Sequence, residues 1–131
     1  MMALIAQGNQ ETMENIIQVF TLCQPDCKLK TTDSGKKCIE IVKSNYPDIV
    51  ILDKYLPDYD SFEVLKQIRM CSQVPVIFTS SLVKDGYETV KALTLGADAY
   101  ITKPIRQLEF MARIRALLSK RKINKPYLYS S

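Results

Sequence analysis

The chain has no histidine, no tryptophan and only four glycines. Without histidine there is no imidazole general base and no Cys–His zinc site. The longest apolar runs fall well short of the ~20 residues a bilayer span requires, which excludes a transmembrane helix. No basic segment leads into a long apolar run at the amino terminus, so no secretory leader is expected, and the cytoplasm is the expected compartment. The excess of one sign of charge over the other is also small. A formal balance of +4 is too small to argue for nucleic-acid binding by this domain, and no membrane partner is expected. No loop combines Ser, Thr and Gly with stacking aromatics, which argues against a flavin site. Cys23, Cys27, Cys38 and Cys71 form no Cys-x-x-Cys pair; they sit in or beside expected helices as small, reduced apolar side chains. One further absence bears on chemistry: the turn Gln7-Gly8-Asn9 after the first strand carries no carboxylate.

What is present is an alternation of two periods. At 131 residues the chain forms one domain with a substantial core. Leu4-Ile5-Ala6 is a short strand, and Met13, Ile16, Ile17 and Phe20 then mark one face of a helix. Cys27 to Thr31 alternates as an edge strand. Asp33-Ser34 opens a helix carrying Cys38, Ile41 and Val42. Ile49 to Leu52 is apolar without a break, the pattern of a parallel strand covered on both faces. Asp60-Ser61 caps a helix with Phe62, Leu65 and Ile68, and Val76 to Phe78 is another central strand. A helix over 85–95 stops at Gly96. Ala99 to Ile101 is the fifth strand, and a last helix shows Leu108, Met111, Ile114 and Leu118. Five β–α units in succession predict an α/β fold of flavodoxin-like, doubly wound type. Its five parallel strands lie in the order 2-1-3-4-5, with five helices on the two faces. The expected division is a domain over 1–120 and a basic tail or linker over 121–131.

In such sheets ligands bind at the carboxyl ends of the strands. Three central strands end here in an acid (Asp53), a hydroxyl (Ser80) and an ammonium (Lys103), the makings of a phosphoryl-accepting pocket. Each has a plainer role: Asp53 as a turn former, Ser80 as loop polarity, and Lys103 as a salt-bridge partner.

The segments Pro47 to Pro57 and Gly96 to Pro104 together resemble the receiver domain of two-component response regulators, over residues 3–120. The resemblance implies a phosphorelay role with no enzymatic activity beyond self-catalysed phosphoryl transfer. By position it makes Asp53 the phosphoacceptor, Ser80 the switch hydroxyl, Tyr100 the switch aromatic and Lys103 the contact to the phosphoryl oxygens. It also implies a cis bond before Pro104. The implied partners are a sensor histidine kinase or phosphotransfer protein. Beyond them come a downstream effector or a homodimer, met through the fourth helix, fifth strand and fifth helix. The last helix resembles that of the winged-helix subfamily. There, cross-dimer ion pairs map onto Asp98 with Arg115, Arg113 with Ala99, and Glu109 with Thr89, with Lys91 as a substitute base. Only the first of these pairs keeps both charges.

The departures from that family shape the chemistry. Two adjacent acids normally follow the first strand. Here their places fall on Gly8-Asn9 or, one residue earlier, on Gln7-Gly8. Ser61 stands where the family usually has glycine, and Tyr55 and Leu82 flank the site. The remaining metal ligands are Asp53, the backbone carbonyl of Tyr55 and, weakly, Asn9, so Mg²⁺ is expected to bind weakly or not at all. Two functions are therefore expected to compete. One is a receiver that accepts phosphate on Asp53 with a degraded magnesium site. The other is a phosphorylation-independent pseudo-receiver that acts as a protein-interaction module.

Overall fold

A computed structural model describes residues 1–81 and 86–123, with side chains described through 120. Leu82, Asp85 and the end of the basic tail lie outside the described residues. The strands are β1 (Met2–Ala6), β2 (Lys28–Thr32), β3 (Ile49–Asp53), β4 (Val76–Ser80) and β5 (Ala99–Thr102). Between them run α1 (Gln10–Cys23), α2 (Gly35–Asn45), α3 (Ser61–Cys71) and α4 (Tyr87–Thr94), and α5 (Gln107–Ile123) follows β5 and continues past residue 120. All strand pairs are parallel and the order is β2-β1-β3-β4-β5, as the sequence predicts.

Strand side chains alternate between faces, and the sheet separates two apolar layers accordingly. Leu4, Val50, Leu52, Val76 and Phe78 pack with α2 and α3, whereas Ile5, Ile49, Ile51, Ile77 and Ile101 pack with α1 and α5. Asp53 and Thr79 continue the second set, paired to each other in register. The same register sets Ala6 beside Leu52, so the next residue, Gln7, arrives beside Asp53. This is how the fold gathers a polar cluster at the top of an apolar layer.

The last helix turns differently from expectation. Leu108 is exposed, and the buried face is Phe110, Ile114 and Leu118, with Met111 only partly covered. The helix begins at Gln107; a stripe spaced by four from Phe110 meets α1, and Leu108 falls off it.

Two polar clasps fix loops at opposite ends of the sheet, the first at the amino ends of β4 and β5 and the second at the carboxyl ends of β2 and β3, beside the site. Arg69 near the end of α3 donates to the carbonyls of Gly96 (2.9 Å) and Val74 (2.7 Å) and to Asp98 (3.0 Å). Gly96 lies at φ +112°, and a Cβ there would press on the Arg69 side chain at 2.9 Å. The second clasp is Asp58, whose carboxylate accepts from Ser34 Oγ (2.7 Å) and the Gly35 amide (2.8 Å) at the start of α2. These bonds, the Ser34 hydroxyl first, hold the Asp58 carboxyl below its ordinary range. A lowered folded-state pKa means the contribution to stability is present above the unfolded value and lost as pH falls through the folded one. The Gly35 amide proton resonance is thus expected to titrate below ~pH 4, the ordinary carboxylate value. Asp58→Ala should abolish that titration in an NMR pH series.

Candidate functional site

Asp53 ends β3 with only 1% of its surface exposed. A carboxylate so buried requires charge-assisted partners. Lys103 Nζ stands 2.7 Å from Oδ1, delivered from just beyond β5, and the Lys103–Pro104 bond is cis. Thr79 Oγ1 donates to the same oxygen at 2.7 Å, while Oδ2 accepts the Tyr55 amide at 3.1 Å. The backbone of Asp53 is held as well: its carbonyl accepts the Ser61 hydroxyl at 2.5 Å. That contact gives the fully buried Ser61 a use where the resemblance has glycine. The strand tops are tied together by the Lys54 amide on the Thr79 carbonyl (2.8 Å) and the Lys103 amide on the Ser80 carbonyl (2.7 Å).

The hydroxyl on the carboxylate is therefore that of Thr79, which the sequence reading passed over, and not that of Ser80. The two-residue period of β4 sends Ser80 to the opposite face. There it is buried and donates at 3.4 Å to Glu88, which also pairs with Lys54. Gln7 is the other residue missed. It is 2% exposed, and its Nε2 donates to Thr79 Oγ1 at 2.9 Å. The signal lay in the strand parity: Gln7, Asp53 and Thr79 share one face at adjacent register positions.

Tyr100 stacks on Phe78, with ring centroids 5.9 Å apart, and Phe78 stacks in turn on Phe62 at 5.2 Å. The Tyr100 hydroxyl is buried without a partner among the described residues. Leaving a polar atom unpaired offsets the ring's packing, so Tyr100→Phe is expected to be neutral or stabilising by up to ~1 kcal/mol, as read by urea unfolding.

Magnesium favours octahedral oxygen coordination, normally with carboxylates. β1 ends at Ala6, so Gln7-Gly8, the alternative one residue earlier, flanks Asp53 in place of Gly8-Asn9. Gln7 commits its amide nitrogen to Thr79. Gly8 has no side chain, and a Cβ there would lie 3.1 Å from the Tyr55 carbonyl oxygen. Asn9 caps α1, its Oδ1 accepting from the Thr12 amide at 2.8 Å, which weakens it further as a ligand. Asp53 and the Tyr55 carbonyl remain. Among the described residues no three His, Cys, Asp or Glu groups gather around one point. The residues present do not fit a magnesium ion.

A cleft of about 430 Å³ opens over this cluster, lined by Gly8, Asp53, Tyr55, Pro57, Ser81 and Lys103 among others. It has room for a phosphoryl group beside Lys103.

On the face formed by α4, β5 and α5, several of the mapped residues make contacts within the chain. Asp98, mapped to a cross-dimer pair with Arg115, is bound within its own chain by Arg69 (3.0 Å) and the Val76 amide (2.8 Å). Arg115 instead lies near Cys23, where its charge opposes the upward push of burial on the thiol. Lys91, the substitute base, folds over the Phe62 ring at 4.5 Å. Tyr87, Val90 and Leu93 of α4 are exposed.

Comparison with known proteins agrees with this fold. The family described as the response regulator receiver domain matches residues 3–115. The transcriptional regulatory protein AfsQ1 of Streptomyces coelicolor is 36% identical over 77% of this chain and 44% of its own length. The response regulator SaeR of Staphylococcus aureus is 36% identical over 72% of this chain and 41% of its own. PhoP of Bacillus subtilis, the alkaline phosphatase synthesis transcriptional regulatory protein, is 28% identical over 94% and 51%. The chain thus spans about half or less of the length of these relatives. A CheY-like receiver domain protein from Methanospirillum hungatei superposes with a TM-score of 0.83 over 95% of this chain and 98% of its own, at 18% identity, a likeness of fold. No helix among the described residues is long and apolar enough to cross a membrane.

Proposed function

Because the chain belongs to the response regulator receiver domain family, we propose that Asp53 is its phosphoryl acceptor and that it works without a strong magnesium site. The observation that carries this reading is the 2.7 Å contact of Lys103 with a carboxylate that is 1% exposed. In an open cleft this places one nucleophile and one fixed cation together.

Phosphoryl transfer depends on positioning and on neutralising charge at the transferred group. Lys103 supplies the neutralising charge. The Tyr55 amide and Thr79 orient the carboxylate, and Ser80, one peptide away, is the hydroxyl available to a phosphoryl oxygen if it leaves Glu88. Two acids fewer than an ordinary receiver leave the pocket near neutrality, so an incoming anion is not repelled. The missing cation makes transfer slow. The proposed donor is a phosphohistidine protein, either a sensor kinase or a phosphotransfer protein. The proposed output is an effector, or a second copy of this chain, met through α4, β5 and α5.

A second reading, signalling by binding alone, draws on the same contact: Lys103 already neutralises Asp53, as in a permanently set switch. Incubation with acetyl phosphate, followed by intact mass spectrometry, separates the two. The acceptor reading expects slow gain of one phosphoryl group, lost in Asp53→Asn. No gain over hours, with or without millimolar Mg²⁺, favours the pseudo-receiver.

A further inference from the structure

We infer that Gln7 and Thr79 are positioning residues that select which oxygen of Asp53 attacks the phosphoryl donor. The inference deepens the acceptor reading and rests on it for its kinetic part. Its structural part stands separately.

The argument is one of donors and lone pairs. The Gln7 side-chain nitrogen can only donate, so at 2.9 Å from Thr79 Oγ1 it makes that oxygen an acceptor. The single hydroxyl proton of Thr79 is left to point at Asp53 Oδ1, 2.7 Å away. Oδ1 also accepts from Lys103 at 2.7 Å, so both of its lone pairs are committed. Among the described residues Oδ2 accepts only the Tyr55 amide, at 3.1 Å, which leaves one of its lone pairs uncommitted to them. Gln7, Thr79 and Asp53 are 2%, 0% and 1% exposed, so water does not compete for these bonds. The chain of three side chains thus fixes the carboxylate's rotation and leaves Oδ2 as the nucleophile.

With an acyl phosphate as donor the step balances without a proton. An Oδ2 lone pair forms the new O–P bond. The acyl O–P bond breaks, its electron pair leaves with the carboxylate product, and the dianionic phosphoryl group remains on Asp53. Oδ1 stays as the carbonyl oxygen of the mixed anhydride, held by Thr79, while the Lys103 ammonium, with three N–H donors, also meets the new phosphoryl oxygens.

Gln7→Glu tests the direction of the chain at nearly constant shape. A carboxylate at position 7 accepts the Thr79 proton and takes it from Asp53. In chelated, metal-free buffer, phosphorylation by acetyl phosphate should fall about tenfold in Gln7→Glu and Thr79→Val, one hydrogen bond to a charged group being the difference. Thr79→Ser should stay within about twofold of the parent. The second readout needs no phosphorylation: the Tyr55 amide resonance, which reports Oδ2. Gln7→Glu should shift it in the Thr79 background and leave it unmoved in the Thr79→Val background. Additive effects of the two substitutions, or an unmoved Tyr55 resonance in Gln7→Glu, overturn the inference. If the parent takes up no phosphate, the acceptor reading fails while the resonance cycle still decides the positioning.

Discussion

Lys103→Met lowers stability by about 3 kcal/mol, the cost of leaving a buried carboxylate without its counter-charge. Asp53 is 1% exposed, and in this variant, among the described residues, only the Thr79 hydroxyl and the Tyr55 amide still support its charge. The size of the loss comes from the orphaned partner and not from the net worth of the pair. A double variant, Asp53→Asn with Lys103→Met, should therefore recover most of it, since a neutral amide tolerates burial better than an unpaired charge. Urea unfolding of the four proteins of the cycle checks this. A Lys103→Met protein as stable as its parent would mean that the carboxylate finds other compensation. The same variant should phosphorylate at least ~100-fold more slowly, because the fixed cation facing the developing charge is gone.

Arg69→Met is expected to cost about 2–3 kcal/mol, from the loss of charge-assisted hydrogen bonds and the carbonyls left unpaired. The guanidinium joins three segments that no continuous element connects: the end of α3, the entry to β4 and the turn before β5. It does so through the Val74 and Gly96 carbonyls and Asp98. Burial pushes the Arg69 pKa down, and the Asp98 charge pushes it back up. The change to methionine keeps the volume, so a loss of this size reports the polar clasp and not a cavity. Unfolding by urea gives the size. Hydrogen exchange gives the place, with faster exchange concentrated at Val76 and Ala97 to Ala99. An Arg69→Met protein as stable as its parent would show the clasp to be incidental. If instead Asp98 is freed for other contacts, α4–β5–α5 self-association in the variant becomes measurable by ultracentrifugation.

The fold was legible because both periods are strong in this chain. Unbroken apolar runs at Ile49 and Val76 name the central strands, and the caps Ser34 and Asp60 mark helix starts that the structure keeps. Asp53 and Lys103 were legible as a pair because each closes a strand whose neighbours the topology dictates. Less was visible where side-chain direction decides. Ser80 and Thr79 are adjacent hydroxyls, and only the register with Asp53 shows which one touches the carboxylate. Gln7 looked like a gap in an acidic motif, yet its amide is a working donor in the buried cluster. Asp98 kept its charge in the expected ion-pair pattern, but nothing in the sequence marks Arg69 as its partner from another helix. Leu108 failed because it stands two residues, about 200° of helical turn, before Phe110 and so faces away from the buried stripe Phe110, Ile114 and Leu118.

The direct measurement is a magnesium titration of the intact chain, followed through the backbone amide resonances of Gly8, Asp53 and Tyr55. A neutral pocket whose Gln7, Gly8 and Asn9 supply no carboxylate should show only small, linear drifts up to tens of millimolar, ~10 mM or more. Saturable shifts of those three residues at or below ~1 mM would contradict it and restore an ordinary metal-dependent receiver.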